Sequence, residues 1–381
     1  MSAQQELPGV IFTMRYPDDT GYVWNHIAYL RDEVSAHLAG KARPYMAFPK
    51  LSGHPSYALR HMPAVELDCY DNSVQGRARI EEFVLRHGVK VIVFMSAMPE
   101  TVCLNLLRRL GVRTLNTEND SFDLSRRDSL PKRVAKYFVR HVLGRQMHDL
   151  HLANSKGQLQ FLRNYAMLPS RRVVLMTNCI NTARFTPGDQ ARARAQLGLA
   201  PERFWILAVS QARAEKRVER LIQMIHEVHQ ARPGRALGFV YVGDGPLVDG
   251  WKKLVAELGL QDVVVFAGRQ DNVLPWYQAC DLMVHGAERE SFGLAVVEAM
   301  SCGVPVVASA AMGPGETILD GETGAVIPLH DFDAFRQAVL RYVDDPTLTK
   351  KHGANARAHV DKEYNVVRYS KEFAQHIVRF L

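Results

Sequence analysis

The sequence predicts an α/β protein built as two doubly wound domains, and three observations carry that expectation. At 381 residues the chain exceeds one ordinary core, given roughly 100 to 200 residues per domain. Strand-like apolar runs alternate with amphipathic stretches of helix length from end to end, the pattern of parallel strands joined by crossover helices. The pattern breaks at "FTPGDQ", residues 185–190, where proline, glycine and polar residues signal a connector.

In the first half, strands are expected at 10–14, 90–95, 113–117, 149–153 and 173–176. Helices fall between them at 22–37, 77–87, 100–110 and 132–147. The second half repeats the alternation, with strands at 205–209, 238–242, 263–267, 282–285 and 305–308. The expected domains are therefore 1–186 and 187–363, with a helix over 364–381 returning to the first. Its apolar positions Val367, Tyr369, Phe373, Ile377 and Phe380 suit packing on a core face. In such sheets, ligands sit beyond the carboxyl ends of the strands.

Composition narrows the functions. With 47% hydrophobic and 23% charged residues the chain is globular. A net charge of +7 and an isoelectric point near 9.1 suit nucleic acid, an anionic membrane surface or a nucleotide diphosphate. With no aromatic-basic RNA motif and no helix-turn-helix signal, a nucleic-acid partner is not expected. The five cysteines are odd in number and widely spaced, which predicts reduced thiols and a cytoplasmic setting. No apolar run reaches the roughly 18 residues of a membrane span, so any membrane contact is peripheral.

The most informative stretch is "CDLMVHGAERESFGLAVVEAMSCGVPVVAS", which reads as strand, loop, helix and strand. Glu290 falls in the loop and Glu298 in the second turn of the helix. The helix start offers unpaired N–H groups and about half a positive charge, and Gly293 lets a ligand approach, which together suit a phosphate. Glu298 could hold a vicinal diol such as ribose, and Glu290 the hydroxyls of whatever the phosphate carries. Taken singly, Glu290 reads as a helix-capping acid and Glu298 as an exposed helix residue.

This stretch, followed by "MGPGETILDGETGAVIP", closely resembles the family 4 glycosyltransferases of the GT-B fold (glycosyl transferases group 1), whose signature is two glutamates with seven residues between them. The resemblance implies two Rossmann-like domains facing across a cleft. It also implies a retaining transfer from a nucleotide sugar that needs no metal and no cofactor. Glu290 then meets the donor sugar and Glu298 the ribose, while the backbone of Ser291, Phe292, Gly293 and Leu294 lies along the donor. "VSQARAEKRVERLI" matches the segment whose lysine neutralises the diphosphate, which makes Lys216 that cation. A metal-free transfer needs such a fixed charge as the diphosphate leaves. The family's usual arginine is replaced by Gln211, with Arg213 the nearest substitute. "FVYVGDGPL" and the segment around Gly268 and Arg269 bring Gly243 and Arg269 to the nucleotide; taken alone, Gly243 marks a turn after a strand.

The first half resembles the family less. Its paired-glycine loop is reduced to Thr20-Gly21, so Gly21 is the candidate for backbone approach to a phosphate or acceptor. Where the family often has a histidine near the reacting sugar, this chain has Glu118, beside Asn119 and Asp120. A basic segment, 126–145, sets Arg126, Arg127, Lys132, Arg133, Lys136, Arg140 and Arg145 around Val134, Phe138, Val142 and Leu143. It reads either as a solvated basic face over the core or as a contact with an anionic membrane carrying lipid-linked acceptors. The Asp-x-Asp pair Asp331 and Asp333 opens a helix and is read as a cap rather than a metal site.

The expected function is transfer of a sugar, with UDP-sugars favoured, to a saccharide or lipid-linked saccharide in cell-surface polysaccharide or glycolipid synthesis, in the cytoplasm or at the inner membrane face. The alternatives are a nucleotide-sugar epimerase or phosphorylase on the same plan and a non-catalytic nucleotide-sugar binding protein.

Overall fold

A computed structural model describes residues 7–99, 101–119, 129–143 and 147–381, apart from the side chains of 22–25 and 141. The chain divides into two units, Met1–Thr177 with Val366–Leu381, and Asn178–Asn365.

The first unit is a seven-stranded parallel sheet in the order β3-β2-β1-β4-β5-β6-β7. Its strands are β1 (Gly9–Thr13), β2 (Arg43–Phe48), β3 (Ala64–Glu66), β4 (Val89–Met95), β5 (Arg113–Glu118), β6 (Leu150–Ala153) and β7 (Val173–Leu175). Strands β1, β4 and β6 are buried along almost their whole length, as a sheet covered on both faces requires. The tail forms helix Val366–Val378, which packs on helix Gly21–Ala36. There Phe373 is fully buried, and the buried Arg31 guanidinium lies 4.7 Å from its ring centroid.

The second unit is a six-stranded parallel sheet in the order β10-β9-β8-β11-β12-β13. It contains β8 (Phe204–Val209), β9 (Leu237–Val242), β10 (Val264–Gly268), β11 (Leu282–His285), β12 (Val306–Ser309) and β13 (Gly324–Ile327). Its core joins Ile206, Phe239, Tyr241 and Val284 of the sheet to Leu221, Ile225 and Val339 of the covering helices.

The two-domain α/β architecture agrees with the sequence reading, and three strands are added to it. Strand β2 opens on Arg43 and Pro44, β3 has only three residues, and β13 is a four-residue strand that begins with glycine, so none of the three carries a strong strand signal. The helix expected over 100–110 begins at Leu104. That over 132–147 is an α-helix at Leu130–Tyr137, continued by a π turn at Phe138–Val142.

The boundary lies at Thr177/Asn178 rather than 186/187, because residues 178–186 are fastened to the second unit. Arg357 donates to the carbonyls of Thr182, Phe185 and Ser301, and Gln278 donates to that of Thr186. The chain returns to the first unit after Asn365, since the Ile180 N–H bonds the carbonyl of Tyr364 at 2.9 Å.

Candidate functional site

In the second sheet β9 lies on one side of β8 and β11 on the other. The connections leaving the carboxyl ends of β8 and β11 therefore diverge, opening the crevice where ligands of doubly wound sheets bind. Lys216 follows β8 and Glu290 follows β11, and Ser210, Lys216, His285 and Gly286 surround a small indentation at the ends of these strands.

Lys216 Nζ donates to Glu290 Oε2 at 2.7 Å, and the Gly293 N–H donates to Glu290 Oε1 at 3.2 Å. The two connections are also locked by their backbones and a second ion pair. The Glu288 N–H bonds the carbonyl of Glu215 at 3.0 Å, and Arg217 pairs with Glu288. Arg217 holds a positive φ of 53°, which turns the chain from Lys216 into helix Val218–Ala231.

Gly293 takes φ 87° at the start of helix Leu294–Ser301, a conformation that side chains disfavour. Gly313 bonds the Glu290 carbonyl through its N–H at 2.9 Å, and a Cβ there would meet the Phe292 backbone at 2.3 Å. The segment 290–293 is thus pinned from both sides.

Burial alone would raise the Glu290 carboxyl, but the Lys216 ammonium and the hydrogen bonds outweigh it and hold the group below the usual carboxylate range. His285, 5% exposed, has Nε2 3.8 Å from Glu290 Oε2. Burial, reinforced by Lys216, lowers its imidazole to about 4, so the ring is neutral at pH 7.

Glu298 is 4% exposed and accepts from the Tyr277 hydroxyl at 2.8 Å, so it is not the exposed helix residue that periodicity alone suggests. Ser291, Phe292 and Gly293 are buried in the loop, and Leu294 opens the helix.

Gly243 has φ 149°, and a Cβ there would lie 1.9 Å from the carbonyl oxygen of Ser210. The turn after β9 therefore packs backbone to backbone on the turn after β8, with the Ala212 N–H bonding the Asp244 carbonyl at 2.8 Å. This contact carries Gln211 and Arg213, both exposed, at the rim, while Arg269 is exposed beyond the end of β10.

In the first unit, Gly21 begins helix Gly21–Ala36 with φ 43°. Glu118 ends β5 and is 7% exposed, with Oε1 accepting from Asn116 Nδ2 at 2.7 Å and from His151 Nδ1 at 2.8 Å. His151 Nε2 in turn accepts the His148 N–H at 3.3 Å, which places the imidazole proton on Nδ1. His148 is fully buried, and burial with His151 nearby lowers it to about 3. Neither Asn116 nor the two histidines stand out in the sequence, where each reads as a polar residue in an apolar run.

Asp331 caps helix Phe332–Asp344, its carboxylate accepting the Ala334 N–H at 2.9 Å, and Asp333 pairs with Arg336. The basic segment departs from the core-covering reading. No residue of helix Leu130–Tyr137 is buried, and Leu130, Val134, Phe138 and Val142, spaced four apart, are 70%, 59%, 51% and 62% exposed. Asp120, Arg126, Arg127 and Arg145 lie outside the described residues. Among the described residues no helix is long and apolar enough to cross a membrane.

Residues 189–359 match the family model described as glycosyl transferases group 1. A D-inositol 3-phosphate glycosyltransferase of Streptomyces bingchenggensis is 31% identical over 225 residues, 56% of this chain and 49% of that protein. The chain thus spans about half the length of that relative. A GDP-mannose-dependent alpha-(1-6)-phosphatidylinositol monomannoside mannosyltransferase of Mycolicibacterium smegmatis is 28% identical over 291 residues, 74% of either chain. Among solved structures, Anabaena Alr3699/HepE in complex with UDP aligns with a TM-score of 0.78 at 18% identity, covering 98% of this chain and 100% of that one. That likeness is one of fold, the GT-B fold of two Rossmann-like domains.

The buried imidazoles of His148 and His285, lowered furthest, contribute to an acid limit on stability, and burial lowers His352, His359 and His376 in the same direction. A histidine whose folded pKa is depressed contributes stability that is complete above its unfolded value, near 6.5, and is lost as pH falls toward the folded value. The loss approaches about 1.4 kcal/mol per pH unit for each histidine below roughly pH 5.5. Denaturant unfolding at pH 7, 5.5 and 4.5 should show that slope, and His148→Leu should flatten it in the first domain. A pH-independent stability over this window contradicts the assignment. Within its second domain, residues 189–359, the chain is similar to the glycosyl transferases group 1 family.

Proposed function

We propose that this protein transfers a sugar from a nucleotide diphosphate sugar to a hydroxyl of a saccharide or lipid-linked saccharide, with retention at the anomeric carbon and without a metal ion or other cofactor. The observation that carries this reading is the Lys216–Glu290 pair set against the start of helix Leu294–Ser301, with Glu298 buried one turn further on.

The diphosphate takes the helix N–H groups and Lys216, and Glu298 accepts from the ribose hydroxyls. Glu290 accepts from the hydroxyls of the donor sugar. Arg213, with Gln211 beside it, lies at the rim where an exposed guanidinium can reach the phosphates, and Gly243 and Arg269 border the base. In the first domain, Glu118, fixed by His151 and Asn116, and Gly21 serve the acceptor side.

As the C1–O bond to the diphosphate breaks, Lys216 and the helix amides stabilise the departing charge. The acceptor oxygen attacks from the side the diphosphate leaves, and a diphosphate oxygen takes its proton. The new C1–O bond therefore forms on the face that lost the old one.

The UDP held by the Anabaena neighbour supports a uridine donor, and the phosphatidylinositol mannoside in the mycobacterial relative's name supports a lipid-linked acceptor. Such acceptors place the protein at the inner face of the cytoplasmic membrane, in cell-surface polysaccharide or glycolipid synthesis. The exposed apolar stripe at 130–142, flanked by Lys132, Arg133, Lys136 and Arg140, suits an anionic bilayer.

With UDP- and GDP-sugars and an acceptor panel, Glu290→Gln and Lys216→Ala should each lower kcat/KM at least tenfold, about 1.4 kcal/mol or more of transition-state stabilisation. Activity should persist in a chelator. Wild-type rates in both variants, or loss of activity with the chelator, contradict the mechanism, and turnover of donor without acceptor would identify an epimerase instead.

The protein should also float with vesicles containing anionic phosphatidylglycerol and be released by salt, and Phe138→Glu should abolish flotation. Absence of salt-sensitive flotation removes the membrane contact.

A further inference from the structure

The buried imidazole of His285 has no part in the reading above. Its Nε2 has no hydrogen-bond partner, although the side chain is 6% exposed and polar atoms at that depth are normally paired. The atom lies 3.8 Å from Glu290 Oε2, outside hydrogen-bonding range by less than about 1 Å. That same oxygen is the one Lys216 occupies at 2.7 Å. Two potential donors therefore converge on one acceptor, and one of them already holds it.

If Lys216 is to meet a diphosphate, it must leave Glu290 or share its charge. Glu290 would then keep the Gly293 N–H on Oε1 and lose its partner on Oε2. A buried carboxylate stripped of its counter-charge takes up a proton or finds another donor.

We propose that His285 is a positioning residue for Glu290, its neutral Nε2–H moving onto Oε2 when a nucleotide diphosphate draws Lys216 away. The exchange keeps Glu290 ionised and aimed, ready to accept hydroxyls of the donor sugar. A neutral imidazole suits this role because it supplies one N–H without adding a second cation beside Lys216. The charged groups facing it are Lys216, from the connection after β8, and Glu290, from the connection after β11. The inference rests on the donor-site reading above.

The test measures binding of UDP and of GDP by calorimetry between pH 6 and 8, in the wild type, Lys216→Ala, His285→Leu and His285→Gln, after checking each fold by thermal unfolding. In the wild type, binding of the nucleotide should take up no proton across this range. In His285→Leu the bound state leaves Glu290 unpaired and raises its pKa, so affinity should fall roughly tenfold by pH 8 and recover toward pH 6, with a proton taken up on binding. His285→Gln, whose amide N–H can replace Nε2–H, should restore most of the affinity and remove the pH dependence.

If His285→Leu does not fold, the wild-type imidazole resonances carry the test. The Nε2–H of His285, assigned by its absence in His285→Gln, should shift downfield when nucleotide saturates the site. A Leu variant that binds like the wild type at every pH, or an imidazole signal unmoved by saturating nucleotide, overturns the proposal. If it fails while Lys216→Ala still weakens binding, the donor site stands alone. If neither nucleotide binds, or Lys216→Ala binds normally, the donor-site reading falls and this inference falls with it.

Discussion

An ammonium and a carboxylate 2.7 Å apart, at the mouth of a helix, organise everything around them in the second domain. Both groups are largely withdrawn from water, so neither can be left alone without cost. Backbone fixes where they stand. Gly293 at φ 87° and the close approach of Gly313 to Phe292 hold the loop, while the Glu288 to Glu215 hydrogen bond ties it to the turn carrying Lys216. The pair is thus prebuilt, and in the proposed reaction a diphosphate draws Lys216 from the carboxylate without rebuilding the scaffold.

Sheet order supplies the remaining geometry. Because β8 and β11 are neighbours whose following connections diverge, Lys216 and Glu290, 74 residues apart in sequence, meet beyond the carboxyl ends of the two central strands. Tyr277 then steadies Glu298 from the helix that precedes β11. The first domain repeats the plan with β1 and β4 at its reversal, but its most connected polar cluster, Glu118 with Asn116 and His151, sits one strand over, on β5 and β6. That cluster is buried and hydrogen-bonded, so its carboxylate is held in one orientation.

Much of this was legible in the sequence where backbone chemistry leaves a mark. Gly293 punctuates a strand–loop–helix pattern, Lys216 stands just after a strand, and the two glutamates bracket a helix start. The partners were not legible. His285 ends the apolar run "LMVH" and Tyr277 sits within "PWYQAC", so periodicity reads both as packing; only the fold reveals that one faces Glu290 and the other Glu298. Strand β2 escaped because it opens on Arg43 and Pro44, which leaves a run of only four apolar residues, and β13 because "GAVI" is short and begins with glycine. The domain boundary was misplaced by about nine residues because "FTPGDQ" marks the end of a fastened segment rather than the crossing itself. The apolar residues at 130–142 show the opposite limit: their spacing is visible in sequence, but whether the stripe faces the core or water is decided by the fold.

If the pair works as proposed, Glu290 and a nucleotide diphosphate compete for Lys216. The direct measurement is the affinity of UDP, or of GDP if that nucleotide is bound instead, in Glu290→Gln compared with Lys216→Ala. Competition predicts opposite signs: tighter binding when the rival carboxylate is neutralised and weaker binding when the lysine is removed, by roughly tenfold for the latter. Equal weakening in the two variants would contradict it, because Glu290 would then be a ligand of the diphosphate site and not its competitor.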